Sequence, residues 1–432
     1  MQLHIPRPIE KHTVSSTVLL VLLYGINLTN YISTFASQAV IQIVLYLFTT
    51  VLFIFLGIKE PLQRHRGDWF WPLLFVYLLM LLCRLSADYL IPWEGMFLYK
   101  HPLTVLFFFI FPILIPSVFF SRTQFRFDIK RTFWIISVLL FAALTFSYLA
   151  IIGGGVEKTI DQRYDSGVGV FSITYGHLGT SLILITVYLI SIYGIKSYRT
   201  IMFAAYIFIG FMSIALSGSR GPFIALIACL AFWYIARSKN TWWIIGVILL
   251  LIISGGLLKD VLYSVNDMLA ENGIHTFERI LDTIFSDDGL AQHTSGRDNL
   301  YTEGWNLFLD NPIFGKSLFI PGKIYVHNIF IEQFMALGII GGSIFLIFNI
   351  IAICRAFKLI KRDFTFSIIP VLFLQNLIYG SFSITIIALP AYWLFLLLSM
   401  NRWNKEIIKG KQYYNGKISV GCNPDLQRSW RT

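Results

Sequence analysis

The sequence predicts an all-α polytopic membrane protein, with about 12 transmembrane helices and one large, partly helical loop on the outer side. Three observations carry that prediction. The chain is 56% hydrophobic with a mean hydropathy of +0.70. Only 13% of it is charged, where a soluble domain carries about 25%. Apolar runs of roughly 20 residues, the length of a bilayer-spanning helix, recur from one end to the other.

In order, the apolar runs fall at 16–35, 38–58, 69–91, 101–120, 132–152, 173–194, 200–217, 221–236, 241–258, 328–354, 365–380 and 382–400. They divide the chain into a helical block at 1–258, a large loop at 259–327, a second helical block at 328–401 and a basic tail at 402–432. The first two spans are joined by a very short link at Ala36–Ser37, and the last two around Gly380–Ser381. The start, MQLHIPRPIEKHTVSS, is polar, and the first apolar run is long enough to span, so no cleavable signal peptide is evident. The four cysteines are Cys83, Cys229, Cys354 and Cys422; none lies in the large loop, and no disulfide framework is implied.

The net charge of +11 does not imply a nucleic-acid partner, because the basic residues lie between apolar runs. With the N-terminus inside, every inside segment is basic, as membrane topology requires. Examples are Arg122, Arg126, Lys130 and Arg131, then Arg355, Lys358, Lys361 and Arg362. In all, 24 of the 34 Lys and Arg fall inside. Both termini are therefore expected to be cytoplasmic.

Three of the outside segments are informative. Residues 153–172, GGGVEKTIDQRYDSGVGVFS, read as a loop from their glycines and charges. There Arg163, Tyr164 and Asp165 are plausible substrate contacts. Ser217–Pro222, SGSRGP, is a short turn. The large loop is too long to be structureless inside a compact domain. Within it, Thr276–Phe285 has helical periodicity. Ser295-Gly296-Arg297-Asp298 resembles a capping box opening a second helix. Tyr301, Trp305, Phe308 and Leu309 then fall on one face, and Asp310-Asn311-Pro312 closes it. The loop reads as a folded cap lying on the membrane surface.

The large loop ends in His327–Gly342, HNIFIEQFMALGIIGG. His327 lies at the start of an apolar helix, where unpaired N–H groups disfavour an imidazolium. A neutral imidazole there can act as a base, or the histidine can simply cap the helix. Gly338 and Gly342 stand one helical turn apart, spacing that admits close approach of another helix. Arg220, in SGSRGP, and Arg297, in the first turn of the loop helix, are cations on the outer side. Each is suited to binding phosphate through its planar fork. The plainer readings are an interface arginine and a surface arginine paired with Asp298 or Asp310. Glu332, one turn past Asn328, can orient a neighbour or face the outer vestibule. Arg84 and Asp88, four apart in the third span, form an intramembrane ion pair to which a structural role is given.

No outer segment has an Asp-x-Asp pair or a His/Cys cluster, so metal-dependent glycosyl transfer and zinc chemistry are not indicated. No phosphate-binding Gly-rich loop or Gly-x-Ser-x-Gly elbow is present. His327, Asn328, Gly338 and Gly341 match, without a gap, the His-Asn/Ser/Gln, nine residues, Gly-x-x-Gly motif of O-antigen ligases. SGSRGP and SGRDNLYTEGWNLFLDNPIFGKS resemble that family's two arginine-bearing segments. The chain thus resembles the O-antigen polymerase and O-antigen ligase superfamily of bacterial envelope enzymes, well over about residues 200–345 and elsewhere in hydropathy alone.

The resemblance implies metal-independent glycosyl transfer at the periplasmic face of the inner membrane, with no cofactor. The donor is a glycan on undecaprenyl diphosphate, and the acceptor is a glycan-bearing lipid. Catalytic roles are carried to His327 as base and to Arg220 and Arg297, which would bind the diphosphate and stabilise the leaving charge. Substrate contacts are assigned to Arg220, Arg297, Arg163, Asn328 and Glu332, and metal ligands to none. Membrane lipids and a chain-length regulator are the candidate partners. The chain matches no ligase closely outside the shared motifs, which favours a polymerase extending a lipid-linked repeat unit. The alternatives are a ligase that moves the finished glycan to lipid A–core and, from another class, a glycolipid flippase or other transporter.

Overall fold

A computed structural model describes residues 9–25, 28, 38–59, 68–89, 102–123, 127–153, 172–195, 197–238, 264, 267, 297–321 and 325–401. The expected span 241–258, the expected helix 276–285, Arg163 with the rest of 154–171, the link at 36–37 and the tail lie outside the described residues. The described elements are all helical. They are α1 Ile9–Gly25, α2 Gln38–Lys59, α3 Phe70–Tyr89, α4 Pro102–Phe109, α5 Ile115–Arg122, α6 Ile129–Ile152, α7 Ser172–Tyr193 and α8 Ser197–Leu216. There follow α9 Arg220–Arg237, α10 Arg297–Asp310, α11 Ile329–Arg362, α12 Ile368–Phe382 and α13 Pro390–Met400.

Nine helical segments among the described residues are long and apolar enough to cross a membrane. The expected span 382–400 is shorter as a helix, Pro390–Met400, and of the expected span 16–35 the described helix covers 16–25. The last pair is not joined at Gly380–Ser381 as the sequence suggested; α12 runs on to Phe382, and a stretch with one 3-10 turn, Ile386–Ala388, precedes α13. Pro390 explains the late start of α13, since proline enters a helix readily only at its first turn. The expected span 101–120 is interrupted by a π-helical turn, Ile110–Leu114, with Pro112 inside it, where the missing N–H loosens the regular ladder.

Packing divides the helices into inner and outer members. α7 is buried along most of its length, and α12 along nearly all of its first four turns. By contrast α2 turns Val44, Leu47, Phe48, Val51, Ile54 and Phe55 outward. A helix with an apolar outer face suits a lipid neighbourhood, where chain packing rather than hydrophobicity selects the interior. The interior is aromatic-rich: Tyr77, Phe345, Phe348 and Trp393 from α3, α11 and α13 meet ring to ring.

The bundle has two polar ends. At one, Arg355 of α11 grips both carboxylate oxygens of Asp68 just before α3, and Tyr188 of α7 donates to the Thr365 carbonyl at 2.6 Å. The other end gathers the starts of α7, α9 and α11, the ends of α3, α8 and α12, and α10 with the chain that follows it. All the described candidate residues lie at this second end.

Candidate active site at one end of the bundle

α10 forms where the sequence placed it, between Arg297 and Asp310. Its buried face differs from the expected one. Gly304 faces Val326 and Ile331, and Phe308 meets the Phe334 ring, whereas Trp305 and Leu309 are exposed. Gly304 sets this orientation, because a Cβ there would sit 2.9 Å from a Val326 methyl.

Residues 311–318 are locked between α3 and α11. Arg84 donates to the carbonyls of Lys316, Phe314 and Gly315 at 2.7, 2.9 and 2.9 Å. Asp88 accepts the Leu318 N–H at 2.9 Å and lies 3.6 Å from Arg84. The intramembrane ion pair is thus a clamp for this segment.

The glycines of the HN…GIIGG stretch do not serve helix–helix approach as expected. α11 breaks at Gly338, with φ 65° and ψ −165°. Its freed groups are taken by the loop: Ile339 N–H donates to Pro312 O at 2.7 Å, and Lys316 N–H donates to Met335 O at 2.8 Å. Gly315, at φ 72°, abuts the Ala336–Leu337 backbone, and Gly338 abuts the Ile313–Phe314 backbone. The two glycines interlock the loop with the break, and leave a short half-helix, residues 329–337, carrying His327 at its entry.

His327 does not cap that half-helix. Asn328 does, its Oδ1 accepting from Phe330 N–H at 2.9 Å and Ile331 N–H at 3.1 Å. Asn328, expected at the substrate, therefore commits its carbonyl oxygen to the helix. His327 has φ 61°, and no other described non-glycine residue has positive φ. Such a backbone is held in place by its surroundings, and strain of this kind clusters at functional sites.

Those surroundings are the C-terminus of α12, whose last carbonyls have no partner within the helix. Arg297 Nη1 donates to Phe382 O. His327 Nδ1 lies 3.1 Å from Ser383 O, toward which the Tyr325 hydroxyl also donates at 3.4 Å. A carbonyl can only accept, so Nδ1 carries the proton and Nε2 keeps its lone pair. Burial, the largest influence, pushes the His327 pKa down; Arg297 adds to this, and the Ser383 carbonyl opposes it. The sequence pointed to the helix dipole for the same neutral imidazole; the structure adds burial to it.

Glu332, expected at the substrate, lies inside the protein. It is fully buried, and its Oε1 accepts from Ile386 N–H at 3.1 Å and Gln333 Nε2 at 3.0 Å. Gln333 in turn accepts from the Tyr77 hydroxyl at 2.8 Å. This network fixes the chain just after Ser383 and so acts behind His327.

Arg220 is the first residue of α9, after Gly218 at φ 56° and Ser219, whose side chain makes no capping bond. It is half-buried. Nothing in the sequence singled out its neighbours. His177 of α7 stacks on Tyr379, one turn before Phe382, with ring centroids 4.0 Å apart, and its Nε2 faces Gly221. Arg297 and His327 are thus brought together on one helix end. Gly221, the residue after Arg220, is linked to the same helix through His177 and Tyr379.

Residues 205–346 match the family model described as O-antigen ligase, a stretch that contains Arg220, Arg297, His327 and the Gly338 break. This supports the resemblance to the O-antigen polymerase and ligase superfamily, and with the apolar helices it suggests a multi-pass inner-membrane protein of polysaccharide biosynthesis. No curated protein and no solved structure matches the chain.

Proposed function

We propose that this chain is a membrane glycosyltransferase that polymerises a surface polysaccharide of O-antigen or capsule type at the periplasmic face. The observation that carries the reading is the pairing of Arg297 and His327 on the carbonyls of Phe382 and Ser383 at the end of α12. His327 presents an unprotonated Nε2 next to a fixed guanidinium. Nε2 takes the proton of the acceptor hydroxyl as its oxygen attacks the anomeric carbon. The bond from that carbon to the diphosphate oxygen breaks, and undecaprenyl diphosphate leaves. Arg220 and Arg297 hold the charge that develops on it. Two guanidinium groups supply the positive charge that a metal ion supplies elsewhere, and the assignment is of metal-independent transfer.

The family match favours a second reading of the same chemistry, a ligase delivering the finished glycan to lipid A–core. Supplying purified protein with either a lipid-linked repeat unit or lipid A–core as acceptor separates the two. The transporter reading has less support. α11 is broken in the way transporter helices are, but the break is filled by the 312–316 backbone rather than lining a cavity.

Arg220→Lys and Arg297→Lys test the mechanism. Each keeps the charge and loses the fork that binds two oxygens. Each is expected to lower transfer roughly 10-fold or more, as loss of a hydrogen bond to a charged group implies. Wild-type rates in both variants would remove the arginines from the diphosphate.

A further inference from the structure

His177 is buried, at 3% exposure, in the second turn of α7, and neither ring nitrogen has a hydrogen-bond partner among the described residues. An unpaired buried polar group costs free energy and calls for a reason. Its ring is held on one side by Tyr379, whose hydroxyl is itself fixed 2.6 Å from Thr174 Oγ1. Its Nε2 points at the first turn of α9: a Cβ on Gly221 would lie 3.4 Å from it and 3.9 Å from Ser219 Oγ. That first turn is the positive end of an 18-residue helix. The Ser219 hydroxyl is not spent on capping. Gly221 and Arg220 are partly exposed, so the spot opens outward.

We propose that His177, Ser219 and the bare Cα of Gly221 form an oxyanion seat beside Arg220, in which the imidazole N–H donates to a phosphate oxygen of the lipid diphosphate. The inference rests on the glycosyl-transfer reading above and adds a binding residue to it. Arg220 supplies charge at the rim. His177 supplies a neutral, immobile donor at the base, and stacking on Tyr379 spares it the entropy of being ordered on binding. The seat explains why glycine follows the arginine: any side chain would occupy the oxyanion position.

Gly221→Ala fills the seat without disturbing its walls, since 3.4 Å is an ordinary contact and no positive φ is involved. His177→Phe keeps the stacking ring and removes the donor, whereas His177→Gln keeps a donor. Purified variants are assayed for transfer from a lipid-linked glycan, for inhibition by farnesyl diphosphate and for Tm. Gly221→Ala and His177→Phe are each expected to weaken farnesyl diphosphate inhibition and raise KM by roughly 10- to 100-fold, the range for a hydrogen bond to a charged group. Tm should be unchanged, and His177→Gln should recover part of the loss. Wild-type KM and inhibition in Gly221→Ala would overturn the seat, even if His177→Phe failed to fold. If wild-type protein transfers no glycan but binds farnesyl diphosphate in a Gly221-dependent way, the transfer reading falls and the seat stands.

Discussion

Replacing His327 by alanine is expected to lower glycan transfer about 10²- to 10⁴-fold, the usual effect of removing a general base. The structure sharpens how this must be tested. His327 has φ 61°, where alanine adds a backbone penalty of roughly 1–2 kcal/mol on its own account. Asparagine tolerates that conformation and cannot serve as a base. Since Asn328 already caps the half-helix, His327→Asn should fold as well as wild type and be as inactive as the alanine variant. The pH profile gives an independent reading. The base works when neutral, and burial lowers its pKa. Activity should therefore hold as pH falls through about 6.5, the ordinary histidine value, and decline only below it. An Asn variant at the wild-type rate, or an acid limb above that value, would take His327 out of the chemistry.

Gly338→Ala should be the most damaging single change to the fold of the site. Gly338 combines φ 65° with ψ −165°, a region open to glycine and costing other residues on the order of 1–3 kcal/mol. A Cβ there would also overlap the Ile313 and Phe314 backbone, which Arg84 and the Ile339–Pro312 bond prevent from retreating. The variant should lose thermal stability in detergent-based unfolding and lose transfer activity with it, because the half-helix and His327 are no longer fixed. An unaltered Tm would mean that the loop and the break are not interlocked as described.

The contrast between these two residues shows what the sequence could and could not disclose. Hydropathy gave most of the helices, because a span is long and its signal is summed over many residues. The ends of α10 were legible from the residues at its start and from Asp310-Asn311-Pro312. Its buried face was not, because two apolar stripes compete and only the contact of Gly304 with Val326 decides between them. Arg220, Arg297 and His327 were legible as motif residues. What anchors two of them was not: the end of α12 acts through backbone carbonyls, which have no side-chain signature. Gly338 read as a motif glycine in an unbroken helix and Gly315 carried no signal of its own, since their pairing exists only once the loop has folded back. His177 carried no signal, being a single histidine in an apolar helix.

Glu332 shows how burial refines a reading. An acidic residue one turn from a candidate base invites a direct role. Its complete burial and its bond to Ile386 N–H give it instead a supporting one, fixing the chain beyond Ser383. A catalytic geometry depends on such supports, because a base displaced by about 1 Å loses much of its effect.

The central claim is that this end of the bundle transfers glycan from a lipid diphosphate using two arginines and a histidine. The most direct measurement is a transfer assay with purified protein, an undecaprenyl-diphosphate-linked repeat unit as both donor and acceptor, and a chelator present throughout. The account predicts elongated lipid-linked glycan and released undecaprenyl diphosphate in the wild-type reaction, and neither above background in His327→Asn. Elongation that the chelator abolishes, or that His327→Asn sustains at the wild-type rate, would contradict it.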